Sequence, residues 1–520
     1  MSASCSVLEM SHEEAREYFL KPQSYFTEPL PPFISFDKLL KKIAEQDRDE
    51  LRDLIEKKRR DIRESSNVNF IFYHNQDGKY AWRPFQLIHP LLYVNLVNII
   101  TEESHWKQIK EIFSDFHERA PNIKPLALPR ESYQRRIRDR GAEIQHWIEE
   151  VEQETLRLAQ KYQHLYYADI AKFYPSIYTH TIAWAIHGKE EAKKNKDNKN
   201  LLGNLIDWRI QDMQEGQTNG IPIGNTVINL IAEILLRYAD TLIQNKAKDL
   251  YPNLDFTILR YRDDYRIFVN REEDGERLLK IISEVLRDLG LYLNDQKTSG
   301  PYSPIEGAFK PDKIAWLKRQ RKYDDLQKEL LIIHQHSLDF PNGGSLIKAL
   351  TKVLKRIEQD RHRGKKLTSI YRDPEGCISI LTDISFRNPR VFHLGISIIS
   401  QLLDYMLKNS QHDTVKMIVQ EIGKRVSEMP NNDYAELWYT SLLKLCECEF
   451  DYTDTVRKLI AGKSIDIWNT DWLDKSDQFR KILEGSSVVV EAERRPISVS
   501  DFSLFDAYPL MAQSQSMRRP

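Results

Sequence analysis

Between Phe256 and Val269 two apolar runs, Phe256–Tyr261 and Tyr265–Val269, flank two adjacent carboxylates, Asp263 and Asp264. Each run is rich in β-branched and aromatic residues and reads as a short strand, so the stretch predicts a hairpin with both acids at its tip. Neighbouring carboxylates repel, and holding both ionised at a tight turn calls for a compensating cation. Magnesium, a hard cation that takes oxygen ligands and keeps waters, suits such a pair. Aspartate is also a good turn residue, so the acidic pair acquires meaning only from what the rest of the chain places beside it.

At 520 residues the chain exceeds one hydrophobic core, and two or more domains are expected. A formal net charge of −1 gives no global attraction for a polyanion, so any nucleic acid has to be held by local basic clusters. Cys5, Cys377, Cys446 and Cys448 make neither a disulfide framework nor a zinc set, which favours a reducing compartment. The start of the chain has no basic segment followed by an apolar one, and no apolar run approaches about 18 residues. The expectation is therefore a cytoplasmic protein with no membrane partner.

Four segments are expected. Residues 1–64 form an N-terminal helical extension, with a capping box at Ser11 and Glu14 and a charged helix from Phe36 to Arg63 whose Lys57–Arg60 run reads as a solvated face. Residues 65–305 hold the hairpin chemistry. They open with a hairpin from Asn67–Tyr73 to Tyr80–Pro84, with Arg83 at its exit, and an amphipathic helix from Pro90 to Ile100. Arg130–Arg140 packs five arginines into eleven positions; Arg135, Arg136 and Arg138 there suit phosphate contacts, with a solvated helix as the competing reading. His164–Ile170 reads as a strand ending in a single acid, Asp169. Asn219–Asn225 is a turn that leads into an apolar helix from Thr226 to Ala239, and a further helix runs from Glu276 to Leu289. Residues 306–485 are helical throughout, with Phe386–Leu407 shaped like one unit of a HEAT-type repeat, and 486–520 read as a flexible tail. The fold class expected is α+β, a right-hand-like fingers and palm domain followed by an all-α domain.

Nucleotidyl transfer uses two divalent ions about 3.5–4 Å apart, held by carboxylates from adjacent backbone segments. Asp169 at a strand end beside Asp263 and Asp264 on a neighbouring hairpin supplies that set. Tyr174, five residues after Asp169, can lie under an incoming sugar and leave no room for a 2′-hydroxyl. Gly220 and Gly224, with Pro222 and Ile223 between them, let the backbone pass close to a nucleotide. Lys297 can approach a leaving phosphate as a charge or proton donor.

Strand–Asp, Gly-x-Pro-x-Gly–helix, Tyr-x-Asp-Asp hairpin and Leu-Asn-x-x-Lys-Thr, in that order over roughly residues 65–300, resemble the palm of a reverse transcriptase. Tyr178–Gly188, Arg262 within Tyr-x-Asp-Asp, and Trp82-Arg-Pro84 are similar to the bacterial defence-associated set, the abortive-infection and "unknown group" enzymes. The resemblance implies that Asp169, Asp263 and Asp264, with Ile170 beside the first, bind Mg²⁺. It further implies that Tyr174 is the sugar gate, Lys297 assists pyrophosphate departure, and Arg83, Gly220, Pro222, Ile223 and Gly224 meet the nucleotide. Ile223 departs from the family, standing where many members have glutamine. The function implied is antiphage DNA synthesis from dNTPs on an RNA template, with a companion non-coding RNA as one source. Template-independent synthesis primed by a protein tyrosine, its DNA product staying attached, is the alternative. A homo-oligomer, trimer or hexamer, is implied in either case. A catalytically silent RNA-binding scaffold is the competing class, but it has no need of three acids, a gate tyrosine and a lysine together.

Overall fold

The structure is a computed structural model that describes residues 4–133, 139–319, 325–362, 373–490 and 494–501. Its strands are β1 (Ser4–Ser6), β2 (Phe70–Asn75), β3 (Trp82–Leu87), β4 (Ile123–Pro125), β5 (Arg130–Ser132), β6 (His164–Asp169), β7 (Phe256–Tyr261), β8 (Asp264–Val269) and β9 (Ser299–Tyr302). The helices used below are α1 (Arg48–Glu64), α2 (Pro90–Ile100), α3 (Asp139–Leu158), α4 (Leu202–Asp212), α5 (Thr226–Leu250) and α6 (Glu272–Asp288).

The central hairpin forms where its sequence pattern puts it, and β6 pairs beside it. A five-stranded sheet runs β4-β7-β8-β6-β9, with β4 parallel to β7 and the other pairs antiparallel. Side chains alternate sides along a strand, so the register sorts the sheet into rows. Asp169, Asp264 and Tyr261 make one row, Tyr167, Arg266 and Leu259 the next, and Leu165, Phe268 and Thr257 the third, all on one face. The other face carries Ala168, Tyr265, Ile267, Ile258 and Arg260 into the main core against α5 and α6. At Gly275 in α6 an added Cβ would lie 2.1 Å from the Tyr166 ring, so the helix approaches β6 this closely only because that position has no side chain.

Two expectations change. The Pro90–Ile100 helix is not amphipathic: every residue except Asn98 is buried, because neighbouring helices enclose it. The Lys57–Arg60 run is not uniformly solvated. Arg59 and Arg63 turn inward to Asp212 of α4 at 3.2 and 2.6 Å, and Arg209 meets the same carboxylate at 3.0 Å. Asp212 and Arg209 are buried, so three cations around one buried acid fasten α1 to α4.

After β9, the described residues up to 485 form helices and loops without a further strand, although isolated bridges join Ile34 to Val489 and Lys463 to Ser487. This region clasps the β2–β3 hairpin. Tyr73 N–H donates to Asp433 Oδ2 at 2.9 Å, Asn75 Nδ2 to the Pro430 carbonyl at 2.8 Å, and Asn342 Nδ2 to the Gln76 carbonyl at 2.9 Å. Trp468 Nε1 donates to the Leu87 carbonyl at 3.0 Å. One apolar core runs from the first helices through the palm into the C-terminal helices.

His89, fully buried ahead of α2 against the Trp472 ring, accepts the Leu91 N–H through Nδ1. Burial pushes its pKa down to about 3. The unfolded chain protonates this histidine near pH 6.5 and the folded chain does not, so its stability contribution is complete above that pH and is lost as pH falls toward 3. The stability advantage of the wild type over His89→Asn should shrink by about 2 kcal/mol between pH 7 and pH 5, measured by urea unfolding at both values. An unchanged difference would count against a buried neutral imidazole.

Candidate active site

β7 and β8 are joined by Arg262 and Asp263 alone. Arg262 has φ +52°, a left-handed value in which an arginine is strained, and two contacts hold it there. Its Nη2 donates to Glu143 Oε1 of α3 at 2.7 Å, an oxygen that also accepts the Tyr261 hydroxyl at 3.1 Å. From the core side, Arg260 Nη1 donates to the Arg262 carbonyl at 3.2 Å. Arg260 is fully buried and forks onto Glu233 and Asp240 of α5, the closest contact to each at 2.7 Å. The hairpin therefore stands on a buried ion cluster, which Arg237 joins 3.7 Å from Asp240.

Asp169 ends β6 directly opposite Asp264. The Ile170 N–H donates to the Asp263 carbonyl at 3.1 Å, and the Asn294 N–H to the Asp169 carbonyl at 2.7 Å, which ties the strand end to the hairpin tip and to the segment after α6. Lys297 Nζ lies 2.9 Å from Asp169 Oδ2. Burial, a hydrogen bond with Asp169 and the charges of Asp263 and Asp169 push the Asp264 carboxyl up to about 7, with Lys310 opposing. Burial likewise raises Asp263, against its own backbone hydrogen bond. Burial pulls Lys297 down, but the bond to Asp169 and the charges of all three acids outweigh it, so the ammonium is held above the ordinary lysine range.

Among the described residues no three His, Cys, Asp or Glu side chains close into a ready metal-ligand group. What stands together is a facing pair, Asp169 and Asp264, with Asp263 acting on both through its charge. The donors fit a divalent cation: hard oxygens, unlike strands, and a mutual repulsion that a cation would relieve. Ile170 buries its side chain, so the main-chain carbonyl is what it can offer to such an ion.

Tyr174 follows in a short helix, half-buried, and its hydroxyl donates to Asn229 Oδ1 of α5 at 2.7 Å. The Ile221 N–H donates to the Tyr174 carbonyl at 3.0 Å, which ties this tyrosine's backbone to the glycine loop. Gly220 and Gly224 take φ +87° and +116°, values that favour glycine, and at Gly224 a Cβ would press on the Phe26 ring at 3.3 Å. Pro222 is buried and Ile223 half-buried, and the Ile223 carbonyl accepts the Gln86 N–H of β3 at 3.2 Å. Arg83 is solvent-exposed on β3 opposite His74 and does not line the cleft around the acids. Arg135, Arg136 and Arg138 lie outside the described residues.

That cleft has a volume of about 480 Å³ and is lined by Asp169, Asp264 and Lys297 together with Arg266, Tyr302 and Lys310. Sequence reasoning did not single out Arg260, Glu143, Asn229 or Lys310, and it met Asn294 only as part of Leu-Asn-x-x-Lys-Thr, with no role of its own. Arg260 and Asn229 had a signal, a polar residue inside an otherwise apolar strand or helix; Glu143 and Lys310 had none, because only tertiary packing brings them to the hairpin.

Residues 94–324 match the family model described as "Reverse transcriptase (RNA-dependent DNA polymerase)". The chain thus carries a reverse transcriptase domain, an RNA-directed DNA polymerase and so a nucleotidyltransferase. Among solved structures, apo telomerase from Candida tropicalis is similar at 11% identity and a TM-score of 0.32, over 72% of this chain and 70% of that one. Telomerase from Candida albicans with a fragment of telomeric RNA is similar at 12% identity and a TM-score of 0.29, over 75% and 68%. No curated protein matches the chain at a significant level. Among the described residues no helix is long and apolar enough to cross a membrane.

Proposed function

We propose that the reverse transcriptase domain joins deoxynucleotides to a DNA strand at the Asp169–Asp264 pair, with RNA as template. The observation that carries the reading is that pair: carboxylates on unlike strands, opposite one another at the end of the sheet, with Lys297 on one of them. Asp169, Asp263, Asp264 and the Ile170 carbonyl would hold Mg²⁺, which when bound activates the attacking 3′ oxygen and neutralises the leaving pyrophosphate. Lys297 keeps a proton at Nζ that can pass to the departing pyrophosphate. The Tyr174 ring, steadied through Asn229, excludes a 2′-hydroxyl, while Gly220, Pro222, Ile223 and Gly224 shape the wall beside the nucleotide; Arg83, exposed outside the cleft, is given no part in holding its phosphates. The finer reading follows from the motif resemblance: antiphage defence, a companion non-coding RNA as template, and a homo-oligomer assembled through the helical, repeat-like C-terminal region.

The test compares kcat/KM for dNTPs and NTPs on an RNA template with an annealed DNA primer. Wild type should prefer dNTPs. Tyr174→Ala should raise relative NTP use by about 10- to 200-fold, the scale on which pocket size discriminates, whereas Tyr174→Phe should leave the ratio unchanged. An NTP preference in the wild type would sink the reading as a DNA polymerase.

A further inference from the structure

The cleft below the acids is short. Its first row holds Asp169 and Asp264, and its second holds Tyr167 and Arg266. The third row is closed, because Leu165 and Phe268 are fully buried in a small core with Leu158 at the end of α3. Helix α3 is fastened over that face: Glu152 Oε1 accepts Lys313 Nζ at 2.7 Å, and Thr155 Oγ1 accepts Arg266 Nη1 at 3.3 Å. Two rows of an antiparallel strand span about 7 Å, while a stacked strand advances about 3.4 Å per nucleotide. The open face beside the acids therefore holds the reacting end and one nucleotide below it, and a longer duplex has to leave the sheet surface at the closed third row.

The walls of this short cleft suit a phosphorylated nucleotide. Arg266 rises from the floor and Lys310 comes from the segment after β9, two cations close enough to repel each other. Tyr302, 43% exposed and 5.6 Å from the Tyr167 ring, offers a face on which a base can stack.

We propose that this cleft binds a single initiating nucleoside triphosphate, with its phosphates between Arg266 and Lys310 and its base on Tyr302, so that the protein begins a strand on a free nucleotide. The inference rests on the polymerase reading above. In the first step the 3′ oxygen of the bound nucleotide attacks the α-phosphorus of an incoming dNTP. A P–O bond forms, the bond to pyrophosphate breaks, and the hydroxyl proton leaves to water in the cleft. The product is a dinucleotide that keeps its 5′-triphosphate.

The experiment gives the full-length protein Mg²⁺, dNTPs and each NTP or dNTP in turn labelled on its γ-phosphate, with extension of an annealed DNA primer on RNA measured in parallel. A γ label survives in product only at a 5′ end, so labelled di- and trinucleotides are expected. Lys310→Ala should raise the KM for the initiating nucleotide about tenfold or more, cost annealed-primer extension less than initiation although Lys310 also faces Asp264, and be rescued by Lys310→Arg. Primer extension without any γ-labelled product overturns the initiation site and leaves the polymerase reading standing. DNA found attached to the protein by intact mass, lost in Tyr302→Phe, overturns it in favour of a tyrosine primer. Equal loss of both reactions in Lys310→Ala also overturns it, and failure of both reactions in the wild type removes the polymerase reading as well.

Discussion

Asp264→Asn is expected to lower dNTP incorporation by about a thousandfold or more, since stabilisation by a bound divalent ion is worth several kcal/mol and each 1.4 kcal/mol is tenfold. Asparagine keeps the volume of the side chain and can still hydrogen-bond Asp169, so the substitution removes charge and little else. The fold should not suffer. Asp264 lines the open cleft rather than the hydrophobic core, and with its charge gone the repulsion from Asp263 and Asp169 that helps push its carboxyl up to about 7 disappears. Metal-free thermal unfolding should therefore show the variant at least as stable as wild type, which separates lost chemistry from lost structure. Single-nucleotide incorporation and unfolding in EDTA check both halves. Incorporation above a tenth of wild type would remove Asp264 from the metal set.

The parts of this site that could be read from the chain were those written in local patterns. The hairpin from Phe256 to Val269 is legible because two β-propensity runs enclose a two-residue turn, and its register follows from its own alternation. Asp169 is legible as the end of an apolar run. Their convergence came from the order of motifs, and the β6–β8 register, with Asp169 opposite Asp264, agrees with it. The clasp around the β2–β3 hairpin was not legible, since Tyr73 and Asp433 lie 360 positions apart and no local pattern marks either as a partner. Lys57–Arg60 misled for a related reason: a basic run reads as solvated unless a buried acid such as Asp212 is known to wait opposite. Long-range electrostatic pairing leaves its trace on two segments at once, and each segment alone looks ordinary.

Arg260 carries the largest structural effect expected. It is 0% exposed, with Glu233 at 2% and Asp240 at 0%; burial works against its charge, but the two carboxylates hold the guanidinium well above the usual arginine range. Arg260→Leu would strand the Glu233 carboxylate and leave Asp240 with only Arg237 at 3.7 Å, so unfolding free energy should fall by about 3–5 kcal/mol. It also removes the donor on the Arg262 carbonyl, and Arg262 stays left-handed only because it is held from both sides. Activity should consequently fall further than stability accounts for, even at a temperature where the variant is fully folded. Adding Glu233→Gln to Arg260→Leu leaves Asp240 balanced by the buried Arg237 at 3.7 Å, removes the uncompensated charge and should recover most of the lost stability, because a buried ion cluster often adds little over neutral groups that fill the same space. It should not recover the activity, since nothing replaces the bond to the turn. Urea unfolding and single-nucleotide incorporation on the single and double variants distinguish the two roles. If the double variant regains both together, the ion cluster matters only for stability and the hairpin tip is positioned by Glu143 alone.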